Sequence, residues 1–155
     1  MDDLEEIAST RRDECSLFSF SLSRVRIPGE PLVLYIRGNF DVYSAIEFRT
    51  FLMEHGLPYD SLGTAQDCSH QKVNRPDLFV DLDGCEHMDS VGLGKLIALK
   101  RLADRDRAQY KVISNSPVIN RVFNITGANR IFEVYDSLDK AIESYTPRAQ
   151  RIEVQ

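Results

Sequence analysis

Leu78-Phe79-Val80-Asp81-Leu82 is a short, mostly apolar run, the pattern of a central strand buried on both faces. A loop carries the chain from there to Asp89-Ser90. Leu93, Leu96, Ile97, Leu99, Leu102 and Ala103 then make a broad helical stripe, and Tyr110 to Ile113 reads as another strand. Strand, helix and strand in that order predict a helix crossing between parallel neighbours.

Downstream the alternation continues. Asn115-Ser116-Pro117 opens a helix with a cap residue and then proline at the first position. Val118, Ile119, Val122 and Phe123 supply its expected buried side, and Gly127 ends it. Ile131 to Tyr135 is the last strand, and Leu138, Ala141, Ile142 and Tyr145 mark a final helix at i, i+3, i+4 and i+7. Residues 147–155 read as a polar tail.

Upstream, Ser44-Ala45-Ile46-Glu47 has the form of a capping box. Ala45, Phe48 and Leu52 follow at helical spacing, and Gly56 stops that helix. Phe18, Phe20 and Leu22 alternate with Ser19, Ser21 and Ser23, as in a half-buried strand. Pro28-Gly29-Glu30-Pro31 is turn chemistry, and Leu32 to Ile36 is a second apolar run ending at Gly38, so the two runs predict an antiparallel hairpin. Residues 57–77, with Pro58, Gly63 and Pro76, form a long polar loop, expected to be mobile or functional. Residues 1–15 are charged with little periodicity and read as a flexible tail. The expectation is one α/β domain over 16–146: a mixed, mainly parallel sheet with an N-terminal β-hairpin and about four helices.

Composition narrows the function. A chain of 155 residues suffices for one domain with a core. No apolar run approaches the roughly 18 residues of a membrane span, and Met1-Asp2-Asp3-Leu4-Glu5-Glu6 is acidic where a secretory signal is positive, so a cytoplasmic protein is expected. The net charge of −5, without a basic block, repels nucleic acid. An effect on transcription would therefore pass through another protein. Cys15, Cys68 and Cys85 are an odd number at irregular spacing and give no disulfide framework.

Three segments resemble a known family. His87-Met88-Asp89-Ser90-Val91-Gly92-Leu93-Gly94 follows the central strand, and Asn115 to Gly127 reads Asn-Ser-Pro-Val-Ile-Asn-Arg-Val-Phe-Asn-Ile-Thr-Gly. Both are similar to signature segments of the STAS family, the sulfate transporter and anti-sigma factor antagonist domain. Gly38-Asn39-Phe40-Asp41 resembles the family's Gly-x-Leu-Asp segment. Order and spacing fit over roughly residues 17–145, apart from the long 57–77 loop. Val91 departs too, standing where a second small residue is frequent.

The resemblance implies an anti-sigma factor antagonist that binds an anti-sigma factor with serine-kinase activity, of the histidine-kinase-like ATPase type. Phosphorylation then releases it, and a PP2C-type phosphatase restores it. It places the phosphate on Ser90 and the contact surface on Asp41, Asp89, Ser90, Val91, Gly92 and Gly94. The chemistry suits Ser90, because a helix N-terminus accepts an anion and a phosphate adds about −1.5 to −2 charges. A desolvation penalty of ~3 kcal/mol weakens docking roughly a hundredfold. Each residue also has a plain reading: Ser90 as a helix cap, Asp41 and Asp89 as turn and cap residues, the glycines as close packing of helix on sheet. A STAS-type scaffold or small-ligand-binding module without a phosphate switch is the alternative function.

Other constellations carry less. Cys68-Ser69-His70 and Cys85-Glu86-His87 are two Cys-x-His pairs, but a one-residue spacer is a poor bite for zinc, so ordinary loop cysteines are preferred and no metal is expected. Cys85 lies close to Ser90, where oxidation would disturb docking. His55, His70 and His87 have no obvious nucleophile partner, and there is no phosphate-binding or dinucleotide glycine motif. No enzyme and no cofactor are expected. Asp81, Asp83 and Asp89 near the central strand end read as turn formers.

Overall fold

The computed structural model describes residues 4–10, 17–57 and 75–151. Their elements run β1 (Leu4–Ser9), β2 (Phe18–Val25), β3 (Leu32–Phe40), α1 (Val42–Glu54), β4 (Leu78–Asp81), β5 (Cys85–Met88), α2 (Ser90–Arg105), β6 (Tyr110–Ile113), α3 (Pro117–Thr126), a 3-10 turn (Ala128–Arg130), β7 (Glu133–Tyr135), α4 (Leu138–Glu143) and α5 (Arg148–Arg151). One sheet takes all seven strands in the order β1-β2-β3-β4-β6-β7, with β5 paired to β3. The β1–β2 and β2–β3 pairs are antiparallel. All others are parallel. The α/β class and the opening hairpin are as expected.

Register shows why the apolar runs become strands. Leu22 faces Leu34, Leu34 faces Val80, Val80 faces Val112, and Val112 faces Val134, a continuous apolar row across five strands. Alternation then sends neighbouring residues to opposite faces. On one face α1, α2 and α3 bring Phe48, Leu96, Ile119 and Phe123 against Phe20, Leu34, Phe40 and Val112. On the other, Val25, Val33, Phe79 and Ile113 meet Ala141 and Tyr145. Phe20, Phe40 and Phe48 stack edge-to-face with centroids 4.8–6.1 Å apart, and losing one such ring costs about 3–5 kcal/mol.

The structure corrects several expectations. The stretch read as a flexible tail contains β1, paired with β2 from Leu4↔Val25 to Ser9↔Ser21 across a bulge. Backbone pairing holds it, and no β1 side chain is fully buried, so hydrophobic pattern carried no signal. The stretch read as loop before Asp89 holds β5: nine-residue β3 outreaches four-residue β4, and its free end pairs Gly38, Asn39 and Phe40 with Cys85, His87 and Met88. The cap of α1 is Asp41, not Ser44. Asp41 Oδ1 accepts from the N–H groups of Tyr43 and Ser44, and Ser44 Oγ accepts from Asp41 N–H at 2.8 Å.

Val118, expected inside, is 53% exposed, because Ile119 and Phe123, with Val122 partly buried beside them, fill the inward face of α3. Ile131 is exposed as well, and β7 starts only at Glu133. The C-terminal tail is anchored as far as Arg151. Buried Asp77 accepts two bonds from Arg151 Nη2, at 2.8 and 2.9 Å, one from Tyr145 Oη at 2.6 Å and one from Gln109 N–H at 2.8 Å. These partners lie up to 74 residues apart, a pairing no local pattern reveals. Residues 58–74 of the long loop lie outside the described residues.

Candidate functional site

Strands β3 and β5 run parallel and end together, at Phe40 and Met88. The next residue of each is an aspartate, and each aspartate caps a helix. Parallel pairing therefore sets Asp41 beside Asp89 and the N-termini of α1 and α2 side by side.

Asp89 links the two helices. Its Oδ1 accepts from Gly92 N–H at 2.9 Å, the capping bond of α2. Its Oδ2 accepts at 3.1 Å from Val42 N–H, the first residue of α1 and 47 positions away. Asp89 N–H donates to the Phe40 carbonyl at 3.3 Å. Carboxylate bonds of this kind are charge-assisted, so one side chain satisfies an orphan donor on each of two helices. Asp41 and Asp89 thus do act as cap residues, and they also fix the surface around Ser90.

Ser90 is the first residue of α2 and exposed. Asp89 performs the capping, which overturns the plain reading of Ser90 as the cap and leaves its hydroxyl free of that duty. Val91 is exposed beside it. The two glycines separate. A Cβ on Gly92 would lie 2.2 Å from the Phe40 carbonyl oxygen, whereas a Cβ on Gly94 would meet nothing within 4 Å. Gly92 lets helix and sheet close on each other. Gly94 instead keeps the outer face low, in an open groove of about 440 Å³ that runs along α2 from Ser90 to Arg101.

Sequence reasoning missed part of this surface. Tyr43 and Ile46 are 82% and 72% exposed on the first turns of α1, and Val42 is half exposed. A signal existed, since Tyr43 and Ile46 fall out of phase with the buried stripe of Ala45, Phe48 and Leu52. Contiguous exposed apolar side chains mark interaction surfaces.

The remaining candidates do not join the site. Asp83 N–H donates to Asp81 Oδ1 at 2.9 Å, and Asp83 Oδ1 accepts from Asn115 N–H at 2.6 Å. Both carboxylates therefore organise the turn after β4. Burial raises the Asp81 carboxyl above its usual value. Cys85 is 2% exposed, with its thiol pushed up to about 11 by burial, while His87 is exposed. That pair does not present two ligands together. Cys68 and His70 lie outside the described residues, among which no cluster of three or more metal-ligating side chains occurs.

Known proteins share this architecture. A family profile described as the STAS domain matches residues 23–141. The anti-sigma-B factor antagonist of Staphylococcus aureus is 30% identical over 105 residues, covering 67% of this chain and 82% of that protein. The solved structure of an anti-sigma factor antagonist from Mycobacterium paratuberculosis superposes with a TM-score of 0.53 at 18% identity, over 92% of this chain and 94% of that one. The anti-sigma factor antagonist SpoIIAA in its unphosphorylated form gives 0.55 at 15% identity, over 86% and 99%. At such identities the structural likeness speaks for the fold.

Proposed function

The chain belongs to the STAS domain family, among its anti-sigma factor antagonists, and from that premise we propose that it is a cytoplasmic switch that docks through the surface around Ser90. The partner is an anti-sigma factor with serine-kinase activity of the histidine-kinase-like ATPase type. That kinase phosphorylates Ser90 and thereby releases the antagonist. A PP2C-type phosphatase reverses the step. The protein regulates transcription by occupying the anti-sigma factor and performs no catalysis itself.

One observation carries this reading: Ser90 is exposed at the start of α2 while the neighbouring Asp89 makes the cap. A phosphate can then be added without removing a bond that holds the helix, and the adjacent backbone dipoles favour the anion. Around it stand Val42, Tyr43, Ile46 and Val91, all exposed and apolar. A partner covering that patch must desolvate or repel the new dianion, and a penalty of ~3 kcal/mol lowers affinity about a hundredfold.

The test mixes the protein with the purified anti-sigma kinase and ATP and locates added phosphate by mass. The expected result is phosphate on Ser90, with Ser90→Ala remaining bound and Ser90→Asp released. Phosphate on another residue, or equal binding by both variants, overturns the reading.

A further inference from the structure

The segment Asn115–Gly127 forms α3 with its caps, and it lines a different depression from the groove beside Ser90. Two of its asparagines stand mid-helix, Asn120 and Asn124, one turn apart. Asparagine is a weak helix former, and residues at i and i+4 share a face. That face looks into an open crevice of about 490 Å³, which also takes in Ser114, Asn129, Asp136 and Lys140 over a floor of Phe123 and Val134. None of these residues lines the groove beside Ser90.

The crevice lies outside the carboxyl ends of β6 and β7, since Ser114 follows Ile113 and Asp136 follows Tyr135. The helices after these two neighbouring strands leave on opposite faces. α3 sends Ile119 and Phe123 into the core that holds Val112, while α4 sends Ala141 into the core that holds Ile113. Such a divergence opens a gap at the strand ends, the general place for ligands in parallel sheets. A crevice of this size accommodates a small molecule.

From this geometry we infer that the crevice binds a small neutral ligand through hydroxyl groups, the chemistry shared by a free monosaccharide and the sugar of a nucleoside. The lining carries no unbalanced charge: Lys140 Nζ donates to Asp136 Oδ2 at 2.8 Å. Tyr135 lines the crevice too, but its hydroxyl donates to Glu133 Oε2 and accepts from Lys111 Nζ, so what remains are amides and the Ser114 hydroxyl, each able to donate and accept. Asn129 Nδ2 donates to Asn124 Oδ1 at 2.9 Å, which leaves the Asn124 amide hydrogens and the Asn129 oxygen for a ligand. Ser114, 2% exposed, accepts from Ser116 N–H and retains its own hydrogen to give. Paired donors and acceptors of this kind match adjacent sugar hydroxyls, whereas an anion would find only the one, already paired cation.

The experiment titrates the ¹⁵N-labelled full chain with D-glucose, D-ribose and adenosine separately and follows its amide signals by two-dimensional NMR. Saturable shifts are expected at Ser114, Asn120, Asn124 and Asn129, with half-saturation below about 10 mM for at least one probe. Asn120→Ala and Asn124→Ala should each weaken binding about tenfold or more. Neither should lower the melting temperature by more than about 2 °C, since alanine strengthens a helix and the Asn129–Asn124 bond that Asn124→Ala removes is exposed. A response to adenosine and ribose assigns the nucleoside sugar, and one to glucose alone assigns a free hexose. No saturation by any probe, or saturation that both variants leave unchanged, overturns the inference.

Discussion

The substitution Gly92→Ala separates packing from docking. A methyl group there would stand 2.2 Å from the Phe40 carbonyl oxygen and 3.0 Å from its carbon and its Cδ2. An ordinary carbon–oxygen contact is about 3.3 Å, so helix or strand must retreat by about 1 Å. The obstruction is backbone and cannot rotate aside. It is also held in place, because the same carbonyl accepts from Asp89 N–H and the Phe40 ring is fully buried. Overpacking of this kind costs about 1–3 kcal/mol, against which alanine's better helix propensity returns about 1 kcal/mol. The net is a loss of up to about 2 kcal/mol, or a melting temperature lowered by up to about 8 °C at this chain length. Gly94→Ala is the matched control: with open space around the new methyl it should gain about 1 kcal/mol. Urea unfolding of the two variants, at equal slope, measures both changes. A Gly92→Ala midpoint at or above that of the parent protein refutes the packing argument, as does an equal loss in both variants.

Three further outcomes follow from the site and its surroundings. Tyr43→Ala and Ile46→Ala should shift stability by no more than about 0.5 kcal/mol, because both side chains are exposed. Each should weaken binding to the proposed anti-sigma partner about tenfold in a calorimetric titration, and unchanged affinity would remove them from the interface. Burial raises the Asp81 carboxyl, so between its ordinary and its folded pKa the folded protein binds more protons than the unfolded chain. Its contribution to stability is therefore full at low pH and is lost as pH rises through the folded value. Asp81→Asn should gain on the parent protein as pH rises from about 4 to 7 in urea titrations, whereas an advantage that shrinks with pH contradicts the sign. Finally, Cys85 is buried with its thiol at about 11. Iodoacetamide at neutral pH should leave it unmodified in the native state and label it in urea, as read by peptide mass. Labelling in the native state would revive oxidation beside Ser90 as a means of control.

The order of strands and helices was legible in the sequence because burial has a local period. Phe20 and Leu22 alternate with serines, Leu96 and Leu99 recur on one face, and those patterns name the element before any neighbour is known. Ser90 at the start of a helix was equally legible, as were Ser116 and Gly127 at the two ends of α3. Periodicity reports that a side chain is covered and is silent on what covers it. It therefore missed β1 and β5, whose partners are backbone groups, and the ion pairs between Asp77 and Arg151. The choice of cap at α1 was missed for a related reason: Asp41 and Ser44 both carry capping oxygens, and only the backbone angles say which lies outside the helix.

At the site itself, Asp41, Asp89, Ser90, Val91, Gly92 and Gly94 could be named from the chain as one group, but their separate tasks could not. That one carboxylate ties two helices, that Gly92 is pressed against Phe40 while Gly94 faces open space, and that the N-terminus of α1 stands beside that of α2 all depend on parallel pairing of β3 with β5. The asparagines of α3 face a crevice for a similar reason, since the helices after β6 and β7 depart on opposite sides of the sheet. Local order along a chain determines which elements form. Register and crossover, which are contacts between distant residues, decide which side chains meet.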